Sequence, residues 1–381
     1  MTVRVAVNLL WLRPGLVGGS EELICGYLAA IGDRPASPDG PELDLTLFVT
    51  PRFEEAHPDL ARRFVTVPGP DVPLGRPGRV GVESVWLPRR LGDFDVVHHA
   101  GGTLPGRARP ASLVTIHDLQ PLDRPEAFGA VKRRWLQRQI PGAVDGADAI
   151  HVTTRFVADG VADRFPGHAG KVTVVPPVVP TLDSDPTADR DRLARLGLTG
   201  PFVLYPAITY PHKNHGVLID AVARCRAEHP DLQLVLTGGP GPDDAAVRER
   251  LTPADRHLGR VARQDVEVLL RQAAVLAFPS RYEGFGLPVI EAMRARTPVV
   301  ASTAAALPES VGSAGLIVDP DDVDGWVSAI DRVLRGGDDI ARMITAGTAH
   351  ARLFDAGPVA DEMIDLYNRV ASLPGPCLLY T

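Results

Sequence analysis

Short runs rich in Val, Ile and Leu alternate along the chain with longer stretches in which apolar residues return every three or four positions. The first pattern belongs to buried strands and the second to amphipathic helices. Their alternation predicts parallel sheets with crossover helices on both faces. Strands are expected at 3–9, 43–49, 95–98, 113–116, 149–153 and 172–175, with helices between them. Residues Pro176 to Pro186 (PPVVPTLDSDP) hold four prolines and no periodicity, which marks a linker. After it the alternation restarts, with strands expected at 202–205, 233–237, 275–278, 299–301 and 316–318. The α/β reading is therefore of two Rossmann-like, doubly wound parallel-sheet domains, 1–178 and 187–355, facing a cleft. Amphipathic stretches at 321–334 and 359–370 follow the last strand, and residues 356–381 are expected to form a helix and tail returning to the first domain. The tail 373–381 is too short and irregular to read.

Composition agrees with two ordinary cores: 381 residues, 45% hydrophobic and 23% charged. The net charge of −7 is unevenly spread. Residues 1–180 carry 20 basic and 20 acidic side chains, leaving 20 basic against 27 acidic beyond them. This balance gives no broad positive field for nucleic acid. Cys25, Cys225 and Cys377 lie far apart without a CxxC pair, so neither a zinc site nor a disulfide framework is expected. The apolar run 3–12 is broken by Arg4 and Asn8 and reads as a first strand, not a leader peptide. With no stretch near the roughly 20 apolar residues that span a bilayer, a cytoplasmic chain is expected, with any membrane contact peripheral. The segment Lys132-Arg133-Arg134-Trp135 with Arg138 is a basic, aromatic helix face. Such a face is more often simply solvated; its other use is contact with anionic lipid or a phosphate-bearing acceptor.

The window FPSRYEGFGLPVIEAMRARTPVVAS, 278–302, carries the most chemistry. A strand ends, a Gly/Pro-rich turn follows, and a helix is expected over 287–296. Glu283 falls in the turn and Glu291, eight residues later, about two turns inside the helix. Gly284 and Gly286 leave backbone N–H groups unshielded at a helix N-terminus, a ready site for a diphosphate. Carboxylates are acceptors only and suit sugar hydroxyls. Lys213 sits after the first strand of the second half, at the start of a helix expected to run to Ala223, where its charge could meet a departing diphosphate. Gly18 and Gly19 form a strand-to-helix turn open to a phosphate or sugar. His117 ends a strand with Asp118 beside it; a packed imidazole and a capping carboxylate are the plain alternative.

The stretch from Glu283 to Glu291 with GFGLP between resembles the E-x7-E motif of retaining glycosyltransferase family 4. The likeness extends through Val17-Gly18-Gly19-Ser20-Glu21, Thr115-Ile116-His117-Asp118-Leu119 and Pro211-His212-Lys213-Asn214-His215, in the order and spacing of the family. It implies a GT-B fold and transfer of a sugar from a nucleotide-diphosphate sugar to a carbohydrate or lipid-linked acceptor. In the family the departing phosphate oxygen helps deprotonate the acceptor, so no protein nucleophile is needed. By resemblance His117, Lys213 and Glu283 are the catalytic set: His117 bonds the transferring sugar, Lys213 neutralises the phosphates, and Glu283 with Gly284, Phe285, Gly286 and Leu287 holds the sugar. Glu291 takes the ribose, and Gly18, Gly19, Thr209, Asn214, Gly238, Arg260 and Val261 complete the donor site. Many relatives place an arginine where this chain has Ile208 and Thr209; His212, Thr209, Arg281 and Arg260 are the candidates to replace it. No cofactor and no metal are expected, because no DxD motif stands at a strand end in the first domain. The PHKN type of sequence favours GDP-mannose or a deoxysugar nucleotide in bacterial polysaccharide or glycolipid assembly.

Rival motifs are missing: there is no GxxxxGK[ST] loop, no GxSxG elbow and no HExxH helix. Two alternatives stay open, a nucleotide-sugar epimerase of the same architecture and a non-catalytic sugar-nucleotide binder.

Overall fold

A computed structural model of the chain describes residues 2–15, 18–34, 42–71, 75–106, 110–182 and 186–373. Val17 of the glycine turn, residues 183–185 of the expected linker and 374–381 of the tail lie outside the described residues. The chain divides into two compact units, one of residues 1–178 together with 356 onward and the other of Val179–Asp355. Residues 179–182, read from sequence as linker, belong to the second unit, where Val179 is buried in the core and its N–H donates to the Phe354 carbonyl.

The first unit holds a parallel sheet of β1 (Thr2–Asn8), β2 (Glu42–Val49), β3 (Val65–Pro68), β4 (Val96–His99), β5 (Ala111–Thr115), β6 (Ala149–Val152) and β7 (Val172–Val174), in the order β3-β2-β1-β4-β5-β6-β7. Val5 pairs with Leu45 on one side and Val96 on the other. All three are essentially solvent-free, because a strand flanked by parallel neighbours and covered by helices has two buried faces. The helix Ala356–Ala371 lays Met363, Leu366 and Tyr367 into this same core beside Tyr27 and Leu28 of the helix Gly19–Gly32. The second unit contains β8 (Phe202–Pro206), β9 (Gln233–Thr237), β10 (Arg256–Gly259), β11 (Val275–Phe278), β12 (Val299–Ser302) and β13 (Leu316–Val318), ordered β10-β9-β8-β11-β12-β13. In each unit the order reverses between the first and fourth strands, so the loops leaving those two strands open a crevice at the carboxyl edge.

Two strands were not anticipated, β3 and β10, and each is an outermost strand. They are short and no residue of either is fully buried, so neither carries the apolar run that marks an interior strand. The helix expected from Lys213 instead begins at His215, after a 3-10 turn Pro211–Lys213 that Asn214 closes in the left-handed conformation at φ 55°. The helix after the GFG turn spans Leu287–Arg294, so Glu291 lies one turn inside it, not two.

Beneath the first sheet's carboxyl edge runs a chain of buried polar side chains whose direction is fixed. The Val175 carbonyl can only accept, so His151 Nε2–H donates to it at 3.0 Å. His151 Nδ1 then accepts from the Thr115 hydroxyl at 2.9 Å, and Thr115 accepts from His98 Nε2–H at 2.7 Å. His98 Nδ1 is left to accept from the Tyr367 hydroxyl at 2.8 Å, tying the final helix to β4, β5 and β6. Each link needs a neutral imidazole, and burial pushes His151 and His99 down to about 4 and His98 well below its usual value. In the second unit burial likewise pushes His212 and His215 down to about 4.

Below about pH 6.5 the unfolded chain therefore takes up protons that the folded chain refuses, so stability falls as pH drops from 6.5 toward 4. Each fully buried histidine contributes up to about 1.4 kcal/mol per pH unit in that window. Melting temperatures measured from pH 7.5 to 5 should fall steadily below 6.5; a flat profile would contradict neutral buried imidazoles.

Candidate functional site

In the second unit the turns leaving β8 and β11 lie side by side, because those strands are neighbours where the sheet order reverses. The first turn carries Lys213 and the second Glu283, and Lys213 Nζ donates to Glu283 Oε1 at 2.5 Å. Both side chains are largely withdrawn from water, at 18% and 14% exposure. In such a place the mutual attraction of the two charges offsets part of the cost of taking each out of water.

A buried tyrosine links the two turns. Tyr205, in the otherwise apolar strand β8, donates its hydroxyl to the Lys213 carbonyl at 2.7 Å and meets Ser280 Oγ at 3.0 Å. Ser302 donates to the Ser280 carbonyl at 2.5 Å, and the Arg281 N–H donates to the His212 carbonyl at 2.7 Å. A tyrosine buried in a strand needs a partner for its hydroxyl, and here the partners are the two turns themselves. Tyr205 is a positioning residue that sequence reasoning missed; a lone polar atom in FVLYP was its only signal.

Gly286 stands at φ 100° before the Leu287–Arg294 helix, where an added Cβ would come within 2.7 Å of Leu307. Among the described residues no side chain caps this helix, which follows the same glycine turn that carries Glu283. Phe285 itself is buried against Phe354, and its carbonyl accepts from Ser310 at 2.5 Å, so its ring belongs to the core and only its backbone belongs to the turn. Leu287 is half-buried. Glu291 is also nearly enclosed, its side chain 8% exposed, and Arg263 Nη1 meets its Oε1 at 2.6 Å. Arg263 was not anticipated.

Gly238, Arg260 and Val261 gather at the ends of the neighbouring strands β9 and β10. The Gly238 N–H donates to the Gly259 carbonyl at 2.8 Å. At φ 139° its missing Cβ would sit 2.4 Å from the Ala207 carbonyl oxygen, so only glycine lets the loops after β8 and β9 pack together.

Thr209 is 1% exposed; its hydroxyl accepts from the Gly241 N–H at 2.7 Å and donates to Asp244 at 3.3 Å. Asn214 donates to the Pro320 carbonyl at 2.6 Å. Both side chains are thus committed to holding loops. Arg281 is bound to Asp321, with Nε to Oδ1 at 2.9 Å. His212 stacks on the exposed Tyr210 ring, and burial, with Lys213 beside it, keeps its imidazole neutral.

In the first unit Gly18 precedes the helix Gly19–Gly32, and among the described residues nothing lies within 4 Å of a Cβ added at either glycine. His117, just past β5, donates Nε2–H to the Ala100 carbonyl at 2.8 Å, which leaves Nδ1 as the ring's acceptor. Burial lowers its pKa, so the neutral form with this tautomer prevails. Asp118 accepts the Gln120 N–H at 2.9 Å and shapes the loop that follows. Among the described residues no group of three or more His, Cys, Asp or Glu could hold a metal ion, and no helix is long and apolar enough to cross a membrane. The basic segment lies on the helix Ala130–Gly146, where Lys132, Arg133, Arg134 and Arg138 are exposed beside Val131, itself 86% exposed.

The family model "Glycosyltransferase Family 4" matches residues 43–182, and "Glycosyl transferases group 1" matches residues 200–336. The chain is 30% identical over 319 residues to an MMP alpha-(1->4)-mannosyltransferase of Mycolicibacterium hassiacum, covering 76% of this chain and 74% of that one. It is 29% identical over 303 residues to O-antigen chain mannosyltransferase B of Escherichia coli, covering 75% and 77%. Its fold matches that of Anabaena HepE, solved in complex with UDP and glucose, at TM-score 0.75 and 19% identity over 96% of this chain and 100% of that one.

Proposed function

The chain belongs to glycosyltransferase family 4, a GT-B glycosyltransferase, and from that premise we propose that it moves a sugar from a nucleoside-diphosphate sugar to an acceptor hydroxyl with retention of configuration. The observation that carries this reading is the Lys213–Glu283 pair, set where the loops of β8 and β11 meet. A cation there offers a diphosphate its counter-charge, and a carboxylate beside it offers sugar hydroxyls an acceptor. When a donor binds, the two exchange each other for phosphate and sugar. Charge then builds on the phosphate oxygen as the glycosidic bond breaks, and Lys213 stabilises it most at that moment. The same oxygen takes the acceptor's proton as its hydroxyl attacks from the face the phosphate leaves, so no side chain acts as nucleophile. His117, through Nδ1, accepts from the transferring sugar; Gly18 and Gly19 give it room; Glu291 takes the ribose; Gly238, Arg260 and Val261 border the base.

Both mannosyltransferase relatives support a mannosyl-like donor and a role in polysaccharide or glycolipid assembly. Thermal shift across UDP-, GDP-, ADP- and dTDP-sugars should single out one base, since a ligand of the folded state raises its stability. With that donor and a saccharide acceptor, the product should keep the donor's anomeric configuration and form equally well in EDTA. A changed sugar nucleotide made without acceptor would instead indicate an epimerase, and binding without transfer a non-catalytic binder.

The exposed basic helix face is proposed to rest on an anionic membrane surface, its charges outward and Val131 at the lipid boundary. The protein should co-sediment with phosphatidylglycerol vesicles and not with phosphatidylcholine vesicles, and lose most of that binding when Lys132, Arg133 and Arg134 become Glu.

A further inference from the structure

Arg263 opens the helix Arg263–Gln272, a position where a cation opposes the partial positive charge of the helix end. The charge must therefore be met by neighbouring acceptors. Here the guanidinium lies between two carboxylates, with Nε 3.2 Å from Glu267 Oε1 on its own helix and Nη1 2.6 Å from Glu291 Oε1 on the helix Leu287–Arg294. A guanidinium is planar, so contacts through two of its arms fix its orientation. Glu291, at 8% side-chain exposure, has little water to solvate or orient it, and its carboxylate plane is set by what it touches.

We propose that Arg263 is a positioning residue that fixes Glu291 for a vicinal diol, and thereby makes the site select ribonucleotides over 2′-deoxyribonucleotides. The inference rests on the reading of Glu291 as the ribose ligand. An ionised carboxylate has about four lone-pair positions, so the arginine contact leaves acceptors for two hydroxyls. A diol satisfies both only if the carboxylate is held in one plane, whereas a single hydroxyl tolerates a rotating one. Losing the arginine should therefore weaken the diol more than the lone hydroxyl. Arg263 is 39% exposed, which keeps the expected effect moderate.

The test measures dissociation constants of UDP, GDP and ADP, of their 2′-deoxy forms and of dTDP for the wild type, Arg263→Ala, Arg263→Lys and Glu291→Gln. The wild type should prefer the ribonucleotide of its own base by about tenfold or more, the scale of one charged hydrogen bond. Glu291→Gln should erase that preference, Arg263→Ala should cut it by about three- to fivefold, and Arg263→Lys should fall between Arg263→Ala and the wild type. If Glu291→Gln erases the preference while Arg263→Ala keeps it whole and only melts earlier, Arg263 is a plain surface clasp and this inference fails alone. If Glu291→Gln keeps the preference, or the wild type shows none, the ribose reading fails and takes the inference with it. Binding of none of UDP, GDP and ADP, or tighter binding of a 2′-deoxyribonucleotide such as dTDP, would count against both.

Discussion

Replacing Lys213 by alanine is expected to lower kcat/KM for sugar transfer by about 10³-fold, the scale seen when a preorganised electrostatic donor is removed from a site of developing charge. The Lys213 side chain is 18% exposed, and Coulombic stabilisation in so partly buried a place exceeds its bulk value. Arg281, the nearest cation in sequence on the neighbouring turn, is held by Asp321. The loss should fall mainly on kcat, because charge on the leaving phosphate grows as the bond breaks. Lys213→Arg should recover part of it, since the charge returns in a broader shape. Wild-type turnover in Lys213→Ala would remove the basis of the proposed chemistry.

How far this site could be read from the sequence depends on where each residue gets its role. Features set by local chain geometry were legible. GFGLP announces a turn into a helix, and the interior strands β8, β9 and β11 announce themselves as apolar runs, because both of their faces must be covered. Among the outer strands, which carry no such obligation, β7 and β13 were still read, whereas β10 (RHLG) and β3, ending in proline, were not. Residues whose role comes from a long-range contact were not legible. Arg263 and Glu291 are separated by 28 positions, and only the packing of two helices brings them to 2.6 Å. Tyr205 reaches Ser280 across 75 positions for the same reason. Conversely, Thr209 and Asn214 lie within the motif-bearing loop, but sequence could not say that Asp244 and Pro320 would engage their side chains. The first unit runs to Val178, within the proline-rich stretch, and includes the helix Ala356–Ala371, whose amphipathic pattern in sequence said only that one face needed cover.

Glu283→Gln keeps the size of the side chain and removes its charge, and it should cost about 10²- to 10³-fold in kcat/KM. An amide can still accept one hydrogen bond, but it no longer draws donors with a full charge and its NH₂ competes as a donor. Taken alone, this loss would not tell a catalytic carboxylate from a structural one, because Lys213 is left with its partner neutralised. Exchanging the two residues separates the cases. Lys213→Glu with Glu283→Lys rebuilds an ion pair between the same two turns, so the melting temperature should recover most of what either single charge reversal loses. Transfer should not recover, since the exchanged pair puts a carboxylate against the diphosphate and an ammonium against the sugar hydroxyls. Restored turnover in the exchanged variant would mean that the pair serves only to hold the turns of β8 and β11 together.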